Sequence, residues 1–233
     1  MTFKDRRAAG KLLAARLLEY KSEQPLVLAL PRGGVPVAYE VAMALDAPLD
    51  IIVVRKLGAP GQPELGIGAV VDGDHPQSVL NADVMSVLHV SDAYLEREVA
   101  LELQEIRRRQ ECYRGGRPPA PIEGRTVIVV DDGIATGGSV RAALRGVRRA
   151  HPRRLILAVP VAPPATIDLL QAEADTVVCL STPPFFHAVG QFYDDFTQTT
   201  DEEVIRLLDA ARRGAARERR TAAATAQGSD SSS

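Results

Sequence analysis

Apolar residues fall along this chain in two rhythms, and the alternation of the two sets the fold class. Five short runs are apolar on nearly every position: Leu26–Leu30, Ile51–Val54, Val127–Val130, Leu155–Val159 and Thr176–Leu180. Runs of that length without polar alternation are what strands covered on both faces require. Between them the spacing lengthens to a helical period. Val140, Ala143, Leu144 and Val147 make one face, with Arg141, Arg145, Arg148 and Arg149 on the remainder, so this helix lays one side on a sheet. Leu95, Val99, Leu103 and Ile106 make a similar stripe, which predicts a helix from Asp92 to Arg109. Another is predicted over Asp201–Arg213, on Val204, Ile205, Leu208 and Ala211, with acids in its first turn and arginines in its last. Val35 to Leu45 reads as a helix with Pro36 in its first turn. Strands alternating with helices predict an α/β domain whose parallel sheet is flanked by helices.

Composition bounds this picture without changing it. The 233 residues are 45% hydrophobic and 25% charged, an ordinary balance with ample material for one buried core. The domain is expected over 1–213; from Gly214 the chain turns Ala/Arg/Ser-rich, and 214–233 is expected to be a disordered tail. A net charge of -2 gives no footprint for nucleic acid or a membrane surface as main partner. No stretch reaches the roughly 20 apolar residues of a membrane span, and the basic opening, MTFKDRRAAGKLLAARLLEY, lacks the apolar run of a signal peptide. Cys112 and Cys179 lie far apart and match no metal spacing; they read as reduced thiols of a cytoplasmic protein. His75, His89, His151 and His187 share no spacing suited to a metal or a triad.

The chemistry concentrates in Val127–Ser139, VIVVDDGIATGGS. Its strand delivers Asp131 and Asp132 to a carboxyl end, where ligands bind in open α/β sheets. The turn Gly133, Ile134, Ala135, Thr136, Gly137, Gly138, Ser139 then opens a helix. Helix amino termini present unpaired N–H groups and partial positive charge, which favour a phosphate. Gly137 and Gly138 let the backbone approach an anion, and Thr136 and Ser139 add hydroxyl donors. Two carboxylates repel phosphate, so they suit a different task, accepting hydrogen bonds from sugar hydroxyls. The combination describes a ribose 5-phosphate. A plain strand-end turn and helix cap would need neither the adjacent acids nor ATGGS.

A second phosphate-seeking segment is Leu30-Pro31-Arg32-Gly33-Gly34-Val35-Pro36, again between a strand and a helix. An ordinary tight turn is its plainer explanation. Arg55 and Lys56 leave the end of strand Ile51–Val54, where a solvated basic turn accounts for them equally well. No GxxxxGK[ST] occurs, and Gly66-Ile67-Gly68 lacks the third glycine of a dinucleotide fingerprint, so it reads as strand or turn. No Gly-x-Ser-x-Gly elbow appears, which sets hydrolase chemistry aside.

VIVVDDGIATGGS closely resembles the signature of type I phosphoribosyltransferases, with Ser139 in place of the commoner threonine and the hydroxyl kept. PRGGVP, VVRKLGAPGQPELGIGAV and the aromatic stretch 183–196 resemble a branch of predicted phosphoribosyltransferases, over nearly the whole chain to about Arg213. The resemblance implies a flavodoxin-like sheet with a small hood, partly from about 183–200. It implies transfer of the 5-phosphoribosyl group of 5-phosphoribosyl-1-diphosphate to a nitrogenous base, with release of diphosphate. Asp131 and Asp132 would hold the ribose hydroxyls, and Gly133 with Ala135–Ser139 the 5-phosphate. Arg32, Gly33, Gly34, Arg55 and Lys56 would hold diphosphate, with Asp131, Asp132 and Lys56 the catalytic groups. Magnesium (Mg2+) would be held indirectly through the ligand, with Asp131 and Asp132 as its protein contacts. Gly58–Asn81 would supply a cover that excludes water, Glu64–Val71 being part of it and Asp92–Arg109 its support. Phe185, Phe186 and Tyr193 would stack on the base, or equally form the hood's own small core; His187 lies beside them. A homodimer is the usual arrangement of this family. The alternatives are a regulator of the same fold that binds 5-phosphoribosyl-1-diphosphate or nucleotides without turnover, and an enzyme acting on another phosphorylated sugar.

Overall fold

In the computed structural model, residues 1–72 and 77–214 are described, except for the side chains of residues 63, 64, 77, 82 and 83. His75 and the expected tail from 215 onward lie outside the described residues, while Gly214 ends the last helix. In chain order the elements are α1 (Arg6–Leu17), β1 (Leu26–Ala29), α2 (Gly34–Leu45), β2 (Leu49–Ile51), β3 (Val54–Ala59), β4 (Gln62–Val71) and β5 (Gln77–Leu80). There follow α3 (Ala82–Val87), α4 (Asp92–Arg114), β6 (Thr126–Val130), α5 (Gly138–Arg149), β7 (Arg154–Val161), α6 (Pro164–Leu170), β8 (Thr176–Ser181) and α7 (201–214).

Five strands pair in parallel in the order β2-β1-β6-β7-β8. That is the flavodoxin-like order, and the crossing from one side of β1 to the other puts its switch point between β1 and β6. β1 and β6 are buried along their whole length, which explains their unbroken apolar runs. Helices cover both faces. On one side α1, α2 and α7 pack with Val27, Ala29, Ile128 and Val130; on the other α5 packs with Leu26, Leu28, Val127 and Val129. A third small cluster joins Phe3, Ala9, Val161, Phe192 and Tyr193, so the hood is made from both ends of the domain.

The expected strand Ile51–Val54 is corrected to two elements. β2 ends at Ile51, and the Ile52 N–H still donates to Ala29 O at 2.9 Å. The Val53 N–H then turns to Asp72 Oδ1 at 3.0 Å, and Val54 opens β3 in a separate antiparallel sheet, β3-β4-β5. Arg55 and Lys56 therefore sit inside a strand rather than in a turn. Gly66-Ile67-Gly68 lies in β4, as strand. α4 runs five residues beyond the expected Arg109 because Arg114, a residue only 4% exposed, is an anchor: its guanidinium reaches Asp50 Oδ1 and Asp72 Oδ2 at 3.0 Å each and Ile51 O at 2.7 Å. Apolar periodicity has no way to register a buried arginine.

Candidate active site

The parallel register pairs Ala29 with Val130, so the segments after β1 and β6 leave the sheet side by side at its switch point. The Leu30 N–H donates to Val130 O at 2.9 Å, and the Gly34 N–H turns back to Leu30 O at 3.1 Å. The peptide between Pro31 and Arg32 is cis. The two motifs touch. A Cβ on Gly33 would lie 2.1 Å from Asp132 Oδ2, and one on Gly34 would lie 2.8 Å from Val130 O. The bare backbone of this loop is what lets it lie against the acids.

Asp131 Oδ1 accepts from the Asp132 N–H at 2.9 Å. Asp132 Oδ2 is held by Arg6 Nε at 2.7 Å, and Asp132 O accepts from the Tyr193 hydroxyl at 2.5 Å. Burial raises the carboxyls of both acids above the usual range, most strongly Asp131, where the charge of Asp132 adds to it. On Asp132 the Arg6 guanidinium works in the opposite sense. Desolvation beside a like charge disfavours ionising both acids, so the pair is built to hold protons or to meet donors.

The turn after the acids is fixed from behind. The Ile134 N–H donates to Val161 O at 2.9 Å, and Thr166 Oγ1 donates to Ala135 O at 2.8 Å. Gly137 takes the left-handed conformation at φ +79°, a place only glycine occupies without strain, and α5 starts at the next residue. Thr136, Gly138 and Ser139 are left exposed at the helix amino terminus. They open on a cavity of about 610 Å³ whose opposite wall is the β3-β4-β5 sheet, with Lys56 on it.

Not every expected site residue joins this centre. Alternation along β3 sends Arg55 and Lys56 to opposite faces: Lys56 reaches the cavity beside Thr136 and Ser139, whereas Arg55 bonds Glu102 of α4 at 2.6 Å. Arg32 stands 3.7 Å from Asp201, which also accepts from the Tyr113 hydroxyl at 2.6 Å. Tyr193 is buried beneath the acids, with its ring 5.4 Å from Phe3 and 5.1 Å from Phe196. Phe186 packs on Phe192 at 5.1 Å, and Phe185 is 82% exposed. The three aromatics thus divide between hood core and solvent and form no common platform. The His187 N–H caps onto Gln191 Oε1. Sequence reasoning missed Arg6, whose guanidinium also bonds Thr197 O at 2.8 Å and lies 3.9 Å over the Phe196 ring. No spacing could have found it, since 126 residues separate it from Asp132.

Among the described residues no group of three or more His, Cys, Asp or Glu side chains could hold a metal by itself. None of their helices is long and apolar enough to cross a membrane.

Residues 4–197 match the family model described as a phosphoribosyl transferase domain. A Mycobacterium tuberculosis (strain H37Rv) protein described as "Putative phosphoribosyl transferase" is 48% identical over 211 residues, 91% of this chain and 47% of that protein. The chain therefore spans about half the length of the curated relatives it matches. Among solved structures, TT1426 from Thermus thermophilus is 49% identical, with a TM-score of 0.79 over 89% of this chain and 98% of that one.

Proposed function

The chain belongs to the phosphoribosyl transferase domain family, and from that premise we propose that it moves the 5-phosphoribosyl group of 5-phosphoribosyl-1-diphosphate onto a nitrogenous base, releasing diphosphate. One observation carries the reading: the two glycine-rich anion loops flank the acid pair at the switch point, with Gly33 packed on Asp132. In this account Gly133, Ala135, Thr136, Gly137, Gly138 and Ser139 hold the 5-phosphate through backbone N–H groups and hydroxyls. Asp131 and Asp132 accept from the ribose hydroxyls. Arg32, Gly33 and Gly34 receive the diphosphate, where positive charge stabilises the leaving group as it departs. Lys56 reaches the phosphates from β3, the strand beside the cover, and Arg55 supports that strand through Glu102. The protein contributes position and charge rather than a covalent nucleophile.

Magnesium fits this donor set only as a cation carried by the ligand, since two carboxylates are the hard oxygen groups at hand and one is already engaged by Arg6. Bound so, it would neutralise diphosphate charge, with Asp131 and Asp132 as its protein contacts. We place β4 and β5 as the cover that excludes water from an oxocarbenium-like transition state. The base would enter on the hood side, near Phe186 and Phe196. We also propose a cytoplasmic location, which the free thiols Cys112 and Cys179 suit, and a homodimer.

The test is calorimetry with 5-phosphoribosyl-1-diphosphate and magnesium, followed by diphosphate release over a panel of purine and pyrimidine bases. Binding with release against at least one base is expected. Binding without release against every base would favour a regulator of the same fold. No binding, with tight binding of another sugar phosphate, would displace the reading.

A further inference from the structure

The cavity beyond the 5-phosphate turn is larger than one phosphate needs, and its walls are basic. It begins at Thr136, Gly138 and Ser139 and continues along one side of α5 to Arg141, Ala142 and Arg145. Arg145 is seven positions past Gly138, about 10 Å down the helix axis at 1.5 Å per residue. A phosphate bound at the helix amino terminus engages only the first turn. The remaining depth belongs to something attached to that phosphate, and about 610 Å³ is a volume typical of small-molecule sites.

The lining points to the charge of that something. Lys56, Arg141 and Arg145 face the space from two elements, and no Asp or Glu lines it among the described residues. Helical side chains lean toward the amino terminus, so both arginines reach back toward Ser139. Glu173 fixes them from outside, bonding Arg141 Nε at 2.7 Å and Arg145 Nη2 at 2.6 Å, so their placement does not wait for a ligand. The opposite wall is bare at Gly66 and Gly68, while Ile67 between them is fully buried in the core. A Cβ on Gly66 would meet Lys56 Cε at 3.1 Å, so the bare position leaves room for that lysine, while one on Gly68 would meet Val79 O of β5 at 2.6 Å, so that glycine serves the strand pairing.

We infer that this cavity is a subsite for a second phosphate esterified to the 5-phosphate, so that the chain takes nucleoside 5′-diphosphates. The α-phosphate would sit on Thr136–Ser139 and the β-phosphate between Arg141, Arg145 and Lys56. Such a ligand occupies the ribose site and competes with 5-phosphoribosyl-1-diphosphate. The inference rests on the reading that Thr136–Ser139 hold a 5-phosphate.

The experiment is calorimetry on the full chain with AMP, ADP, GMP and GDP at one fixed salt concentration, in parallel with 5-phosphoribosyl-1-diphosphate. Each diphosphate is expected to bind about ten-fold or more tighter than its monophosphate. In Arg141→Gln/Arg145→Gln that preference should fall to about two-fold, with monophosphate affinity little changed. Gly66→Val, whose Cβ would meet Lys56 Cε at 3.1 Å and so pushes that cation aside while leaving the arginines in place, should reduce the preference in the same direction. Equal affinity for mono- and diphosphates would overturn the inference, as would a preference that survives both variants, which would assign the second phosphate to Arg32–Gly34. Failure of every nucleotide while 5-phosphoribosyl-1-diphosphate binds would overturn it and leave the transferase reading standing. Failure of all ligands would remove the 5-phosphate reading and this inference together.

Discussion

Arg6 Nε stands 2.7 Å from Asp132 Oδ2, and through Thr197 O and the Phe196 ring the same guanidinium holds the hood. One side chain at the start of α1 thus joins the amino-terminal helix, the acid pair and the segment after β8. The bond is largely shielded, with 11% and 13% of the two side chains exposed, so it is worth more than a solvated surface pair.

Arg6→Ala should therefore destabilise the fold by about 2 kcal/mol, the range of a hydrogen bond to a charged group whose partner is left orphaned. Ligand affinity should fall with it, because Asp132 loses the cation that favours its ionised form. Arg6→Lys should recover part of the stability and less of the affinity, as it keeps charge but not the three-way reach. Urea unfolding and calorimetry on both variants test this, and an Arg6→Ala protein as stable as the original would sink it.

The acid pair predicts a pH signature. An acid raised above its unfolded value stabilises the fold only at low pH, and that stability is lost as pH rises through the carboxylate range toward the folded value. Asp131, raised by burial and by Asp132, thus costs stability near neutrality. Asp131→Asn keeps an acceptor for the Asp132 N–H and removes the charge, so its melting temperature should exceed the original's at pH 8 and converge with it near pH 4. Asp132→Asn should not share the gain, because it leaves Arg6 without its carboxylate. Both should lose ligand affinity. Thermal melts across pH check the sign, and an Asp131→Asn melt below the original at pH 8 would contradict it.

Gly33→Ala asks whether the two loops act together. An added Cβ would lie 2.1 Å from Asp132 Oδ2, so either the carboxylate or the Arg32–Gly34 turn must move. Overpacking of this kind costs about 1–3 kcal/mol, which corresponds to roughly ten-fold or more in affinity when the displaced groups face a ligand. The expected outcome is lost 5-phosphoribosyl-1-diphosphate binding with the fold retained. Unchanged affinity would separate the diphosphate loop from the acids.

What the sequence disclosed depended on whether the signal was local. Val127–Ser139 was legible because strand, acids, turn and helix start are contiguous, and the structure presents them in that order. The parallel sheet was legible for the same reason: β1, β6 and β7 carry unbroken apolar runs. The pairing of Arg6 with Asp132 and of Tyr193 with Asp132 O was not, since each joins residues far apart in the chain. For Tyr193 the sequence leaves base platform and hood core equally open, and only the packing of its ring on Phe3 and Phe196 shows that it fills the hood core. The division of Arg55 from Lys56 needed the knowledge that Val54 starts a new sheet, which depends on Asp72 capturing the Val53 N–H.

That capture leads to the last prediction. Asp72 is 8% exposed and its carboxyl is raised by burial, against the pull of Arg114. Arg114 also bonds Asp50 at the edge of the parallel sheet, so it fastens the end of α4 to the point where β2 gives way to β3. Removing it leaves two buried carboxylates unpaired. Loss of one partner from a buried ion pair costs about 3–5 kcal/mol, and Arg114→Ala should reach that range in urea unfolding. Arg114→Lys should recover little, since one ammonium cannot span Asp50, Asp72 and Ile51 O together. Asp50→Asn/Asp72→Asn combined with Arg114→Met should be less damaging than Arg114→Ala alone, because no buried charge remains. The damage should also fall unevenly. The β3-β4-β5 sheet hangs on this junction, so hydrogen exchange in Arg114→Ala should rise there before it rises in β1 and β6. Uniform exchange across both sheets would mean that the junction does not hold the cover.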